Sequence, residues 1–383
     1  MIKLLSRWVS SGSCLSPIGL DINPRIIRAA QLERRGGRWE ILHVARWDQR
    51  GSESELTLSD GLARRIRRSV QQWEYRGGRL VAGLSTPEVE LHALEIPDRG
   101  ELRAADKFAE AVRWELERVK GLAEADVRIG HWRVPASKGT RTTAIGVVSP
   151  APHVAFGSAL AGAIRCECQC VDATACALSR LGWFIRRGSE PSTSTPANSA
   201  SPKTIWGVLD LGERQSRMVV CVDDLPVLVR TLGEGGGSWT ERVAESLNLS
   251  SEAAELHKVD YGIGEESNPD DTSTQSETAV EIGEMILKAL KTDLELLAGE
   301  IERSYEYVLR CYPDGQAASL LLVGGGSNLR GLKPFLSAKL GIAVESLDDA
   351  VAAPDTALQV ARSIREPLGP YGCAVGLAIE PEA

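Results

Sequence analysis

One pattern is written twice in this chain, and it limits the fold more than any other feature. Pro17 to Leu20 is an apolar run that stops at Asp21, the stretch Asn23-Pro24-Arg25 turns into a second run from Ile26 to Leu32, and Gly36-Gly37 turns again into Trp39 to Trp47. Far downstream, Trp206 to Leu209 is apolar, Asp210-Leu211-Gly212 ends it, Met218 to Val222 follows, and Asp223-Asp224 turns into Pro226 to Thr231. Short apolar runs bounded by Asp, Asn, Pro and Gly read as strands. The recurrence therefore predicts an internal duplication of a strand, acidic turn, strand, turn, strand unit. A chain of 383 residues, 43% of them hydrophobic, is long enough to bury more than one core.

Between the copies, Arg64 to Trp73 is helical in character and Leu80 to Leu84 reads as a buried strand. A parallel strand after a helical crossover fits an α/β core. From Glu88 to Ser149 the texture changes to strand Val89 to Ile96, an amphipathic helix near Leu102 to Val119, and strands Val127 to Val134 and Thr142 to Val148. Phe108, Val112, Leu116 and Val119 are spaced to cover a sheet. The stretch from Gly188 to Lys203 is rich in Ser, Thr and Pro and has too few large apolar residues to offset the entropy of ordering. The expected organisation is an N-terminal tail at 1–16, a first half at 17–87 and 150–187, and an inserted α+β subdomain at 88–149. A flexible linker at 188–203 and a second half at 204–383, with an exposed polar insertion at 264–276, complete it.

Composition excludes several classes. Lys plus Arg is 44 against 52 for Asp plus Glu, a formal charge of −8, which argues against a dedicated nucleic-acid binder. Apolar runs such as Ser319 to Val323 are far shorter than the roughly 20 residues that span a bilayer, and no secretory h-region opens the chain. Eight scattered cysteines without paired C-x-x-C knuckles read as reduced thiols, so a cytoplasmic location is expected. Cys166, Cys168 and Cys170 alternate, which places three thiols on one face of a strand, and core packing is favoured there over a metal site. The five histidines have no metal spacing and no nucleophile partner. Leu4, Leu5, Trp8 and Val9 with Lys3 and Arg7 make at most a short amphipathic turn, for which a frayed tail is the favoured reading.

A strand that ends in a carboxylate before a tight turn can aim backbone N–H groups at phosphate oxygens while the carboxylate holds Mg2+ through water. Asp21 and Asp210 occupy that position in the two copies. A third candidate runs from Ser319 through Val323 into Gly324, Gly325 and Gly326 before a helix near Leu332, where bare backbone lets a purine or ribose lie close. Each turn alone is a weak signal; their order and duplication are far more specific.

These loops resemble those of the actin, Hsp70 and sugar kinase superfamily, and within it the chain is similar to the type IV pilus assembly protein PilM family and to the related FtsA. The resemblance is carried by I-G-L-D from Ile18, E-A-V-R-W-E-L-E-R from Glu110, V-D-A-T-A-C-A-L-S-R-L from Val171 and V-L-D-L-G from Val208. G-G-G-S-W-T-E-R-V from Gly235, A-A-E-L-H-K from Ala253, the Gly324 loop and Ala374-Val-Gly-Leu-Ala378 extend it over nearly the whole chain. It implies a duplicated RNase H-like, actin-like α/β fold with an inserted small α+β subdomain. It also implies ATP with Mg2+ as the ligand of an interdomain cleft. Asp21, Asn23 and Asp210 would lie near metal and phosphates, Gly212 at the second phosphate turn, Glu255 and Lys258 near the adenosine, Gly324, Gly325 and Gly326 beside it, and Gly236 and Gly237 at the cleft edge. The implied partners are the cytoplasmic N-terminal tail of a PilN-like inner-membrane protein, bound between the insert and the first half, and other pilus or secretion platform components. The resemblance leaves room for self-association.

The chain departs from the superfamily pattern at both phosphate turns. Relatives usually carry Asp-x-Gly and small hydroxyl residues, whereas this chain has Asp21-Ile-Asn23-Pro24-Arg25. Pro24 has no N–H to offer a phosphate, and no Ser or Thr replaces it, which argues against hydrolysis. Glu213 follows Gly212, and a carboxylate there repels a terminal phosphate unless a cation intervenes. Arg25 or Arg214 can offset such charge by binding phosphate, although surface exposure is the favoured reading for both. The expectation is a cytoplasmic assembly scaffold whose cleft is either nucleotide-modulated or nucleotide-free. The rival is a working ATPase or small-molecule kinase with Asp210 as the candidate base. An FtsA-like polymer is disfavoured because Glu380 to Ala383 forms no basic amphipathic helix.

Overall fold

Three sheets organise the molecule in a computed structural model that describes residues 14–35, 38–48, 59–72, 75, 78–85, 87–97, 104–121, 126–189, 202–264 and 277–379. The expectations placed on the tail up to residue 13, on most of the linker (190–201), on the polar insertion (265–276) and on 380–383 lie outside the described residues.

In the first half the strands are β1 (Cys14–Leu15), β2 (Ile18–Ile22), β3 (Ile26–Arg35), β4 (Arg38–Asp48) and β5 (Arg79–Leu84), with helix α1 (Asp60–Gln72) leading into β5. The insert contributes β6 (Glu90–Leu94), α2 (Ala105–Lys120), β7 (Val127–Arg133) and β8 (Ala144–Pro150); α3 (Ala151–Ala163), β9 (Glu167–Ala173) and α4 (Thr174–Ser189) follow. The second half holds β10 (Lys203–Leu211), β11 (Gln215–Val222), β12 (Leu225–Glu234), α5 (Gly236–Leu247), α6 (Ser251–Tyr261), α7 (Glu277–Cys311) and β13 (Gly315–Val323). It continues with α8 (Leu332–Leu340), β14 (Ala343–Ser346), α9 (Leu347–Ala352), β15 (Leu358–Val360) and α10 (Gly372–Ala378).

The duplication is plain in the pairing. β2, β3 and β4 run antiparallel in sequence order, with β5 added parallel to β2; β10, β11 and β12 do the same, with β13 parallel to β10. Both central strands are buried, as a parallel sheet covered on two faces requires. β6, β8 and β7 form a separate sheet whose core is Leu94, Phe108, Val112, Leu116 and Val148. Three of the four helix positions expected to cover a sheet do so; Val119 is 52% exposed, one position past the last buried turn.

The end of the chain returns to the first half. β15 pairs parallel to β4, and the apolar helix α10 packs so closely that a Cβ on Gly19 of β2 would meet Ala374 O at 2.0 Å. The range 204–383 thus includes elements that belong, by hydrogen bonding and packing, with the first sheet.

One expectation is corrected. Cys166, Cys168 and Cys170 do not share a face. Leu80 pairs with Cys168 but Val81 with Cys170, so a register shift passes over Gln169 and resets the alternation. Cys168 packs with Cys166 in the cluster under α1 and α3, and Cys170 packs on the opposite side with Val81 and α4. Burial pushes the Cys170 thiol up to about 11, with the Asp172 carboxylate beside it adding to the effect.

Candidate functional site

The carboxyl ends of β2, β10 and β13 converge, and the glycine loops fill the space between them. Asp21 lies at the end of β2 and is 8% exposed; Asp210 lies at the equivalent point of β10 and is 9% exposed. The register places Arg28 opposite Asp21 and Arg217 opposite Asp210. Arg217 Nη2 donates to Asp210 Oδ2 at 3.0 Å, and its Nη1 donates at 2.6 Å to Oγ1 of Thr174, the first residue of α4. Arg28 differs: it is the charge that most opposes the Asp21 shift, and its Nε is buried without a hydrogen-bond partner.

Burial raises the pKa of Asp21 above its ordinary value. Arg28, Arg217 and the neighbouring Cys373 thiol oppose that shift without cancelling it, and Asp210 adds to it. Arg217 behaves oppositely. Its burial disfavours the charge, but Asp210, Cys373, Asp21 and Glu88 together outweigh burial and hold the guanidinium charged. Glu88, at the entry to the insert, is 5% exposed, has an Oε2 with no hydrogen-bond partner, and is pushed up chiefly by burial.

The two turns meet each other. Asn23 Oδ1 accepts a long 3.4 Å bond from Arg25 N, an Asx-type arrangement that Pro24 permits, and Arg25 Nη1 reaches across to Glu213 Oε1 at 3.0 Å. The carboxylate expected to repel a phosphate is therefore engaged by the first turn, and Arg25 is exposed, as expected, while also serving as an ion-pair partner. Behind the second turn, the first N–H groups of α5 are already in use. Gly236 N donates to Gly212 O at 2.8 Å and Gly237 N to Glu213 O at 2.7 Å. A Cβ on Gly235 would sit 2.5 Å from both carbonyl oxygens, so bare backbone is required there.

Lys258 of α6 is 6% exposed. Its Nζ donates to Gly236 O at 2.9 Å and to Thr240 Oγ1 at 2.6 Å, and lies 2.6 Å from Glu255 Oε2. Thr240 in turn bonds Glu255. The three donors of the ammonium thus have three acceptors, and the group ties α6 to the start of α5. Gly324 N donates to Gly369 O at 2.7 Å, and its φ of 83° places a hypothetical Cβ 2.6 Å from Asp210 Oδ1. Gly326 packs on Leu211, whereas Gly325 faces open space.

A family profile described as "Type IV pilus assembly protein PilM" matches residues 183–381, just over half of the chain. The chain belongs to the PilM family. A chain from a solved "PilM-PilN type IV pilus biogenesis complex" is similar to this PilM-family chain at 22% identity, covering 96% of this chain and 98% of that one with a TM-score of 0.69. Further matches are the ethanolamine utilization protein EutJ from Carboxydothermus hydrogenoformans (14% identity, 96% and 89% covered, TM-score 0.48) and a MamK mutant bound to AMPPNP (13% identity, 95% and 97% covered, TM-score 0.45). No match was found among curated protein sequences. The fold of the PilM-family chain is the expected duplicated actin-like α/β fold.

Sequence reasoning missed Arg217. The signal was present: D-I-N-P-R-I-I-R from Asp21 and D-L-G-E-R-Q-S-R from Asp210 share the spacing D-x-x-x-R-x-x-R. Across a tight turn between antiparallel strands, a seven-residue offset sets the last arginine directly beside the aspartate, as the registers show. The structure brings the predicted residues into one region: Gly236 neighbours Gly212, Gly326 and Lys258, and Asp210 touches Gly324. The metal end does not fit the implied Mg2+. Asp210 is ion-paired, Asp21 is buried between Asp210 and two arginines, and the N–H groups at the start of α5 are taken. Among the described residues no group of three or more His, Cys, Asp or Glu side chains is arranged to hold a metal ion, and no helix is long and apolar enough to cross a membrane.

Proposed function

We propose that this chain is a cytoplasmic actin-like scaffold of a type IV pilus assembly system, or of a related type II secretion inner-membrane platform, that binds the cytoplasmic tail of a PilN-like membrane protein. Family membership supports the pilus role, and the similar solved chain comes from a PilM-PilN complex. The observation that separates scaffold from enzyme is Arg217 on Asp210. The carboxylate nominated as general base has its Oδ2 engaged by the Arg217 guanidinium at 3.0 Å, which ties it to a structural contact rather than leaving it directed at a substrate.

The same reading proposes Asp21, Asn23, Asp210, Gly212, Gly236, Gly237, Glu255, Lys258 and Gly324 to Gly326 as the residues that would bind a nucleotide. ATP bound there acts on partner affinity rather than through turnover. The insert supports a scaffold role because it is anchored to the second half as well as the first: Trp132 Nε1 donates to Pro226 O at 2.8 Å, and Tyr312 donates to Pro135 O at 3.0 Å.

Titration of the full chain with a labelled peptide from the N-terminus of a neighbouring PilN-like protein tests this, with ATP turnover measured in parallel. Saturable peptide binding, with turnover no different between wild type and Asp210→Ala, is expected. Turnover that is lost in Asp210→Ala, together with no peptide binding, would assign the chain to the enzyme class.

A further inference from the structure

We propose that the Arg217 guanidinium is the resident cation of the interdomain cleft, tethered in the place where this fold otherwise recruits a divalent metal. Three observations converge on it. First, Arg217 sits among carboxylates from three parts of the molecule. Asp210 belongs to the second sheet, Asp21 to the first, and Glu88 to the entry of the insert, and all three act electrostatically on it. Second, its two terminal nitrogens reach different bodies: Nη2 bonds Asp210 of β10, and Nη1 bonds Thr174 at the start of α4, which packs with α10 on the first sheet. Third, the side chain is 15% exposed and its partner carboxylate 12%, so the pair is shielded from the water that a hexahydrated Mg2+ would bring.

A divalent ion entering this space would have to displace a fixed guanidinium from Asp210 and would meet Arg28 on the other side of Asp21. Like charge at that range disfavours both. The arginine also does what a bound metal and phosphate do in a cleft of this kind, joining one half to the other, but it does so without a ligand. The cleft of this chain is therefore closed by its own side chain, and any nucleotide it takes up binds without a metal requirement.

Manganese EPR on the purified full chain tests this directly. Wild type is expected to leave Mn2+ in its free spectrum, and a fluorescent ATP analogue, if bound, is expected to show the same affinity with excess Mg2+ as with EDTA. Arg217→Ala leaves Asp210, Asp21 and Glu88 without that cation and is expected to lower the urea midpoint more than Arg217→Lys, which keeps a positive charge there, with Mn2+ in its free spectrum for both. Arg217→Gln, which keeps a donor for Thr174, is the second variant should the alanine form fail to fold. Stoichiometric Mn2+ binding by wild type that disappears in Asp210→Asn would overturn the proposal. So would an Arg217→Lys variant no more stable than a folded Arg217→Ala or Arg217→Gln, because the site would then not call for a cation.

Discussion

The two copies of the strand-turn-strand unit share their register but not their electrostatics. In the second copy, Arg217 bonds the aspartate opposite it; in the first, Arg28 stands opposite Asp21 with a buried Nε that has no hydrogen-bond partner, and burial raises the Asp21 pKa. The turns differ in the same sense. Asp21-Ile-Asn23-Pro24 ends in a residue without an N–H, whereas Asp210-Leu-Gly212-Glu213 sends two carbonyl oxygens to the N–H groups of α5. A duplicated backbone thus conserves which residues face each other while leaving their charge state to what else packs nearby.

The strongest way to break this comparison is to remove each arginine in turn. Arg217→Ala strands the buried Asp210 carboxylate and is expected to cost about 3–5 kcal/mol in urea unfolding. Arg28→Ala, opposite a carboxyl whose pKa burial raises, is expected to cost about 1 kcal/mol. Equal losses would refute the asymmetry.

The Gly324 loop separates strained from open glycines. Gly324→Ala meets both a φ of 83° and a contact at 2.5 Å to Leu211 O, so it is expected to lose about 1–3 kcal/mol. Gly325→Ala, with nothing within 4 Å of the new methyl, is expected to stay within about 0.5 kcal/mol of wild type by the same measurement.

Asp21→Asn probes the first copy by pH. Burial raises the native pKa above the ordinary 3.8, so from about pH 4 upward the folded chain binds more protons than the unfolded one. Stability from this group accordingly falls as pH rises through that window. Thermal melts should show Asp21→Asn more stable than wild type at neutral pH, with the advantage shrinking toward pH 4. The smallest effect belongs to the exposed link between the two turns. Arg25→Ala removes the Arg25–Glu213 pair, whose side chains are 38% and 50% exposed, and should change unfolding free energy by no more than about 1 kcal/mol.

Much of this was readable in advance. The strands at Ile26, Trp39, Leu80, Trp206 and Met218 and the insert helix all follow from apolar period and bounding turn residues, which are local properties. The strand ends at Asp21 and Asp210 and the Gly324 loop were legible for the same reason: a strand end followed by a turn is encoded within a few residues. Lys258 was singled out only through family resemblance, and its threefold bonding to Gly236, Thr240 and Glu255 was not legible at all.

By itself, the sequence determined a duplicated α/β chain with an insert and turns that close its strands, because side-chain alternation and turn chemistry act over neighbouring residues. Tertiary structure alone decided that Gln169 is passed over and Cys170 faces away from Cys168, that β15 joins the first sheet, and that Arg217 links Asp210 to Thr174. Each of those outcomes depends on segments far apart in the chain meeting at one point, where packing space and the balance of buried charge, rather than local pattern, select the arrangement.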